Sequence, residues 1–272
     1  MSNNHSCDEI WAVATRKDLA ETGGSHNEKG KEFQRHWAVM RMFEIEERGT
    51  EDFLFLFESI QDIAEFDSAT NPSSVQIYQV KKKDGKEWTW NDLTGLTAPP
   101  SKHKKSKTTD EISFDKLKGS PLGKLYASVV AFKNIPSSGR FISNAGCDLL
   151  LTNEENAATS LPRNLADLSP EYRNLLLEGF RRLHNQRAPH DLSRIRVERV
   201  KLSVEDPGTH LMGIVHKFLE SRSPRHVGQA QSLVHSLVAT VSALGAKTDS
   251  CKSFDEMRQQ RGFSRDEFRS AL

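Results

Sequence analysis

Cysteine, charge of one sign and long apolar runs are all scarce in this chain, and each scarcity excludes something. Only three cysteines occur in 272 residues, Cys7, Cys147 and Cys251; an odd, widely spaced set argues against a disulfide framework and fits a reducing, cytoplasmic setting. No CxxC or HxxxH pair marks a structural zinc site, and no GxxxxGK[ST] loop marks a nucleotide site. No apolar run exceeds five residues, and the opening MSNNHSCDEIW lacks a basic stretch followed by an apolar one, so neither a membrane span nor a secretory signal is expected. Thirty-eight Lys and Arg stand against 37 Asp and Glu, a net charge of +1, so overall charge does not announce a nucleic-acid partner. Hydrophobic residues make up 36%, yet 14 Phe and 4 Trp supply bulky core material, which excludes global disorder.

What is present has a clear order along the chain. Residues 1–30 are polar and broken by Gly23-Gly24, and read as an arm or loop. A helix is expected from near Lys31, with Phe33, Trp37, Met40 and Phe43 on one stripe and Arg35, Arg41 and Glu46 on the opposite, solvent-facing side. Phe53 to Phe57 reads as a strand buried on both faces. Val75-Gln76-Ile77-Tyr78-Gln79-Val80-Lys81 alternates with period two, so Val75, Ile77, Gln79 and Lys81 share a face. Asp84-Gly85 then turns the chain toward Glu87-Trp88-Thr89-Trp90. The Pro-, Lys- and Ser-rich stretch 98–109 reads as a loop. Pro121 opens a helix carrying Leu122, Leu125, Val129 and Phe132, Arg140 to Ser143 is a strand candidate, and so is Ile195 to Leu202. Beyond residue 160 the pattern is mainly helical, ending in two capping-box signatures, Ser253-x-x-Glu256 and Ser264-x-x-Glu267. The expected architecture is α/β: a mixed central sheet flanked by helices over residues 31–160, followed by a helical subdomain over 161–272.

The polar residues at the ends of two expected strands carry the chemistry. Hydrolysing a phosphodiester requires oxygen ligands for a hard cation, positive charge against the phosphorane, and an oriented water. Asp62 offers a carboxylate, and Gln79 a neutral amide oxygen, with a backbone carbonyl near Val80 as a further candidate. Lys81, on the same strand face as Gln79, supplies a positive point charge. Between Lys81 and Lys107 eight lysines face three acids, and Lys82, Lys83, Lys104 and Lys105 are the candidate DNA contacts. Trp88 and Trp90 are open to core packing or to base stacking. The ten histidines show no ligand spacing.

The ordered set of Gly30-Lys31-Glu32-Phe33-Gln34, the strand FLFLFE with Asp62 after it, and YQVK resembles the PD-(D/E)xK nucleases in their QxK, Mrr-like form, with a restriction-endonuclease-like core. It is most similar to the dsDNA-endonuclease domain of CD-NTase-associated antiphage effectors, and the resemblance extends through TWNDL, SPLGKLYASVVAF and FISNA. It implies cleavage of double-stranded DNA with Mg²⁺ or Mn²⁺ in bacterial antiphage defence. Asp62, Gln79 and Lys81 then match the catalytic positions, Asp62, Gln79 and Glu58 the metal-binding ones, and Gln34 a supporting one. Gln in place of the commoner Glu removes a negative charge from that site. Such effectors imply a trigger, either a fused sensor domain or a partner ATPase, and activation by homo-oligomerisation through the helices after residue 160. The competing reading is a catalytically inactive nuclease-fold module for DNA binding or complex assembly; a third is a sequence-specific restriction endonuclease.

Overall fold

The computed structural model describes residues 4–19, 28–99, 114–184, 190–247 and 249–272. Helix α1 (Asn4–Ala14) lies within the stretch expected as a polar arm. Ile10 and Val13, one turn apart, are both buried, and Trp11 donates its indole N–H to the Cys251 carbonyl at 2.9 Å. Those few apolar positions suffice because their partner, a C-terminal helix, is distant in sequence and invisible to local periodicity.

Helix α2 (Glu28–Glu47) starts at Glu28 rather than near Lys31. Phe33, Trp37, Met40 and Phe43 are buried as expected. The opposite side is not solvent-facing throughout: Ala38, Val39 and Met42 are buried, and so is Arg41, because Glu65, from a later strand, takes its guanidinium. Then come the hairpin β1 (Leu54–Phe57) and β2 (Ile63–Phe66), and the long strand β3 (Val75–Lys81). Gly85, at φ 92°, takes the turn that follows, a conformation that side chains disfavour. The chain does not return as a hairpin, however. Strand β4 (Trp88–Thr89) leads into α3 (Trp90–Thr94), which Thr89 and Asp92 close as a capping box.

After α4 (Asp115–Gly119), Ser120 caps α5 (Pro121–Ala131) by accepting from the Gly123 amide, and Pro121 occupies the first turn, where a missing N–H costs nothing. Next follow β5 (Ser137–Ser143), β6 (Cys147–Asp148), α6 (Ala157–Ser160), β7 (Arg163–Asn164), α7 (Pro170–His184) and β8 (Ile195–Arg199). The chain ends through α8 (Pro207–Arg222), α9 (Ala230–Gly245), α10 (Phe254–Arg261), β9 (Gly262–Ser264) and α11 (Arg265–Ala271). Both expected caps form: Ser253 accepts from the Glu256 amide, and Ser264 with Glu267 makes a complete capping box.

Seven strands form one mixed sheet in the order β7-β8-β5-β3-β2-β1-β9, and β4 pairs with β6 as a separate parallel pair. Strands β3, β5 and β8 run parallel, while β1, β2 and β3 are antiparallel neighbours. Strands β7, β8 and β9 belong to this sheet, so it draws on both sides of residue 160. Two apolar layers cover it. One gathers Leu54, Leu56, Ala64, Ile77 and Phe141 with Leu122, Leu125 and Val129 of α5. The other gathers Phe55, Ile63, Tyr78 and Val80 with α2 and with Leu211, Val215, Leu237 and Val241 of α8 and α9. Successive residues of β3 therefore enter opposite layers, as the pleat requires. The expected α/β class with a mixed, helix-flanked sheet is what the chain adopts. Among the described residues no helix is long and apolar enough to cross a membrane.

Candidate active site

Of three side chains expected to act together, Asp62 and Lys81 meet at one end of the central strands, and Gln79 lies opposite Asp62 in the continued register. Asp62 ends the five-residue loop joining β1 to β2, which is pinned by a hydrogen bond from the Glu58 amide to the Asp62 carbonyl at 3.0 Å. Ile63 pairs with Tyr78 in the antiparallel ladder, so continuing that register by one residue sets Asp62 across from Gln79. The Asp62 carboxylate then replaces the next rung: Oδ2 accepts from the Val80 amide at 2.6 Å. Its Oδ1 accepts from the Lys81 ammonium at 3.2 Å. Asp62 is 3% exposed, whereas the Lys81 side chain keeps 24% of its surface. A buried carboxylate thus holds a lysine whose charge still reaches solvent, and in low dielectric such a pair interacts more strongly than at the surface.

Gln79 is 1% exposed. Its Nε2 donates to Gln61 Oε1 at 3.5 Å, the long limit of a hydrogen bond, while its Oε1 is buried without a hydrogen-bond partner among the described residues. Gln34, from α2, donates to the Val80 carbonyl at 2.9 Å, fixing the Val80–Lys81 peptide. That carbonyl keeps its second lone pair. Glu58 is exposed, at φ 49°, and lines a cleft of about 60 Å³ with Asp62, Gln34, Lys31 and Arg35. A roomier cleft of about 400 Å³ opens on other residues, among them Arg48, Asp52 and Gln76.

The donor set suits a hard cation: Asp62 oxygens and the orphaned Gln79 oxygen are the atoms such an ion prefers. Among the described residues no three His, Cys, Asp or Glu side chains gather as a metal cluster. A cation here would therefore rest on Asp62 and the neutral amide of Gln79, with Glu58 at the rim, rather than on a cage of carboxylates.

The remaining expected residues are placed unevenly. Lys82 pairs with Asp84 at 3.0 Å. Lys83 bonds Asp92 at 2.6 Å and the Glu87 carbonyl at 3.0 Å, and lies 4.6 Å over the Trp88 ring, so it braces the β3–β4 connection. Lys104 and Lys105 lie outside the described residues, as does most of the 98–109 stretch. Trp90 is buried against Tyr172, centroids 4.8 Å apart. Trp88 donates to Ser143 Oγ at 2.8 Å and packs edge-on to Phe141. Both tryptophans serve packing. Sequence reasoning missed Gln61 and Ser128, both buried and joined by a 2.8 Å hydrogen bond. One faint signal existed: the loop Glu58-Ser59-Ile60-Gln61-Asp62 contains no Gly or Asn, so its tight turn forces residues with side chains into left-handed backbone.

A family model described as "Cap4, dsDNA endonuclease domain" matches residues 22–245. The chain belongs to that family. A Cap4-type domain of this kind is a double-stranded-DNA endonuclease. No curated protein and no solved structure matches it. The Cap4 match spans every strand of the main sheet except β9, together with the whole Asp62–Gln79–Lys81 constellation.

Proposed function

We propose that this domain hydrolyses duplex DNA with Mg²⁺ or Mn²⁺ held by Asp62 and Gln79, with Lys81 as the charge that stabilises the phosphorane. The reading is carried by one observation, the buried Asp62 carboxylate paired at 3.2 Å with a Lys81 ammonium that stays partly exposed. A bound divalent cation supplies Lewis acidity and a more acidic water. The chain's own residues do the rest. Asp62 holds Lys81 in place, so its positive charge stands where a scissile phosphate meets the strand ends. As water attacks phosphorus and the P–O bond to the leaving oxygen breaks, charge grows on the phosphoryl oxygens, and Lys81 interacts more strongly with that state than with the ground state. Gln34 fixes the Val80 peptide, which keeps Gln79 and Lys81 in register. Lys82, Lys104 and Lys105 contact the DNA backbone.

The decisive experiment is nicking of supercoiled plasmid with Mg²⁺, with EDTA, and by Lys81→Ala. Metal-dependent nicking by the native chain, reduced roughly 10²–10³-fold in the variant, is the expected result. Undiminished cutting by Lys81→Ala removes the mechanism, and no cutting by the native chain under any activating condition leaves a nuclease-fold binding module instead. Discrete fragments in place of a smear would point to a sequence-specific restriction enzyme. Family membership supports a cytoplasmic role as an antiphage effector, in which the endonuclease is triggered by a fused sensor domain or a partner ATPase and assembles as a homo-oligomer. Native mass of the particle, alone and with co-purified proteins, tests that: a constitutively active monomer refutes it.

A further inference from the structure

We propose that Gln61, anchored by Ser128 and the Leu19 carbonyl, is a positioning residue that determines which end of the Gln79 amide is offered to the site. The inference rests on the reading of Gln79 as a cation ligand. An amide carries an acceptor oxygen and a two-donor nitrogen of nearly equal shape, so a buried glutamine reliably presents oxygen only where something claims its nitrogen. The chain of partners does this. A backbone carbonyl can only accept, so the Gln61 atom 3.3 Å from the Leu19 carbonyl is its nitrogen, and that nitrogen also donates to Ser128 Oγ at 2.8 Å. Both of its donor hydrogens are then spent.

What Gln61 has left for its neighbour is its oxygen. That oxygen accepts from Gln79 Nε2, which leaves Gln79 Oε1 as the buried atom without a hydrogen-bond partner. Flipping Gln79 would set its oxygen against the Gln61 oxygen and turn its donor nitrogen to the place where Oε1 now stands. Gln61 holds this post at φ 57°, in left-handed backbone, a conformation seldom kept by a side-chain residue unless its surroundings insist. Ser128, on α5 and fully buried, ties the orientation to the helix layer beneath the sheet.

The test uses the full chain without DNA, titrated with Mn²⁺ and read by electron paramagnetic resonance, with plasmid nicking and melting temperature alongside. Gln61→Met should bind Mn²⁺ roughly tenfold more weakly, the low end of what outer-shell partners typically contribute, and nicking should recover at high Mn²⁺. Glutamate has oxygen at both ends and needs no orienting neighbour. Gln79→Glu in the Gln61→Met background should therefore restore Mn²⁺ binding, and by more than the same change gains in the native background, where the carboxylate meets Gln61 Oε1. Native-like Mn²⁺ binding by Gln61→Met, or failure of Gln79→Glu to rescue it, overturns the proposal. If Gln61→Met does not fold, Ser128→Ala removes one anchor and carries the same expectation and the same rescue. Gln79→Leu separates this from the underlying reading: native-like Mn²⁺ binding by that variant sinks Gln79 as a ligand, whereas weakened binding by Gln79→Leu beside a normal Gln61→Met sinks only the positioning role.

Discussion

Tyr78 and Gln79 are neighbours on β3, yet they enter two polar clusters of opposite character. On the α2 side, Tyr78 donates to Glu65 at 2.7 Å, and Arg41 grips the same carboxylate through two hydrogen bonds, at 3.0 and 3.1 Å, with a third donor on Glu44. Burial there would lower the Arg41 pKa, but the surrounding Tyr78, Glu65 and Glu44 outweigh it and raise it. Burial raises the Tyr78 phenol well above its ordinary range, helped by Glu65. That cluster is closed: each charge faces its complement. On the α5 side, Gln79 keeps an unclaimed oxygen and Lys81 keeps a solvent-reaching charge. Burial and charge alone do not separate structural from functional polar groups; what separates these two clusters is whether the hydrogen-bonding capacity is used up.

The contrast can be broken from either side. The largest effect should come from Arg41→Met, which leaves the Glu65 carboxylate buried with one partner fewer: about 3–5 kcal/mol of stability is lost in chemical denaturation, while nicking per folded molecule stays native. Lost nicking at native stability would show the closed cluster to be functional. Lys81→Ala should invert that pattern, with nicking down roughly 10²–10³-fold and stability down by about 1–3 kcal/mol for the carboxylate left behind. Tyr78→Phe, which deletes one hydroxyl from the closed cluster, should cost about 1–2 kcal/mol and leave nicking within twofold; a larger kinetic effect would blur the distinction.

A third cluster gives the smallest effect. Tyr126 stacks on Phe180 and its hydroxyl meets His190 Nδ1 at 2.7 Å, while the Nε2 atoms of His184 and His190 are buried without hydrogen-bond partners among the described residues. Burial lowers the His184 pKa, aided by His190 and Arg16, and burial with Arg181 lowers that of His190. The unfolded chain therefore binds protons first as pH falls, so this contribution to stability is complete above the ordinary histidine value of 6.5 and drains below it. Melting temperature should drop between pH 7.5 and 5.5, on the order of a degree or two for each such group, and His184→Gln should flatten the slope. An unchanged slope in that variant would place the sensitivity elsewhere.

Much of this was legible in the sequence where a pattern is local. The alternation of Val75 to Lys81 announced β3 and its shared face, Ser120-Pro121 announced the start of α5, and Ser264 with Glu267 announced α11. Asp62 and Lys81, drawn from two segments, do meet. Features that depend on distant partners were not legible. Arg41 looked solvent-facing because one helix's periodicity cannot reveal that Glu65 and Tyr78, on two strands later in the chain, draw its guanidinium onto the sheet. Strand β4 finds β6 some sixty residues on, and α1 finds its apolar partner near Cys251. Gln61 and Ser128 read as ordinary polar residues, since nothing in either local context says that they touch.

Strand β9 has a practical consequence. Its three residues, Gly262 to Ser264, pair with Leu56, Phe55 and Leu54, on the flank of the hairpin that delivers Asp62, yet the family match stops at residue 245. A recombinant fragment trimmed to the matched span would strip this border from β1 and present a raw, phenylalanine-rich edge to other molecules, an invitation to intermolecular pairing. Insolubility of such a fragment would report a missing selvedge, and not a defect of the enzyme.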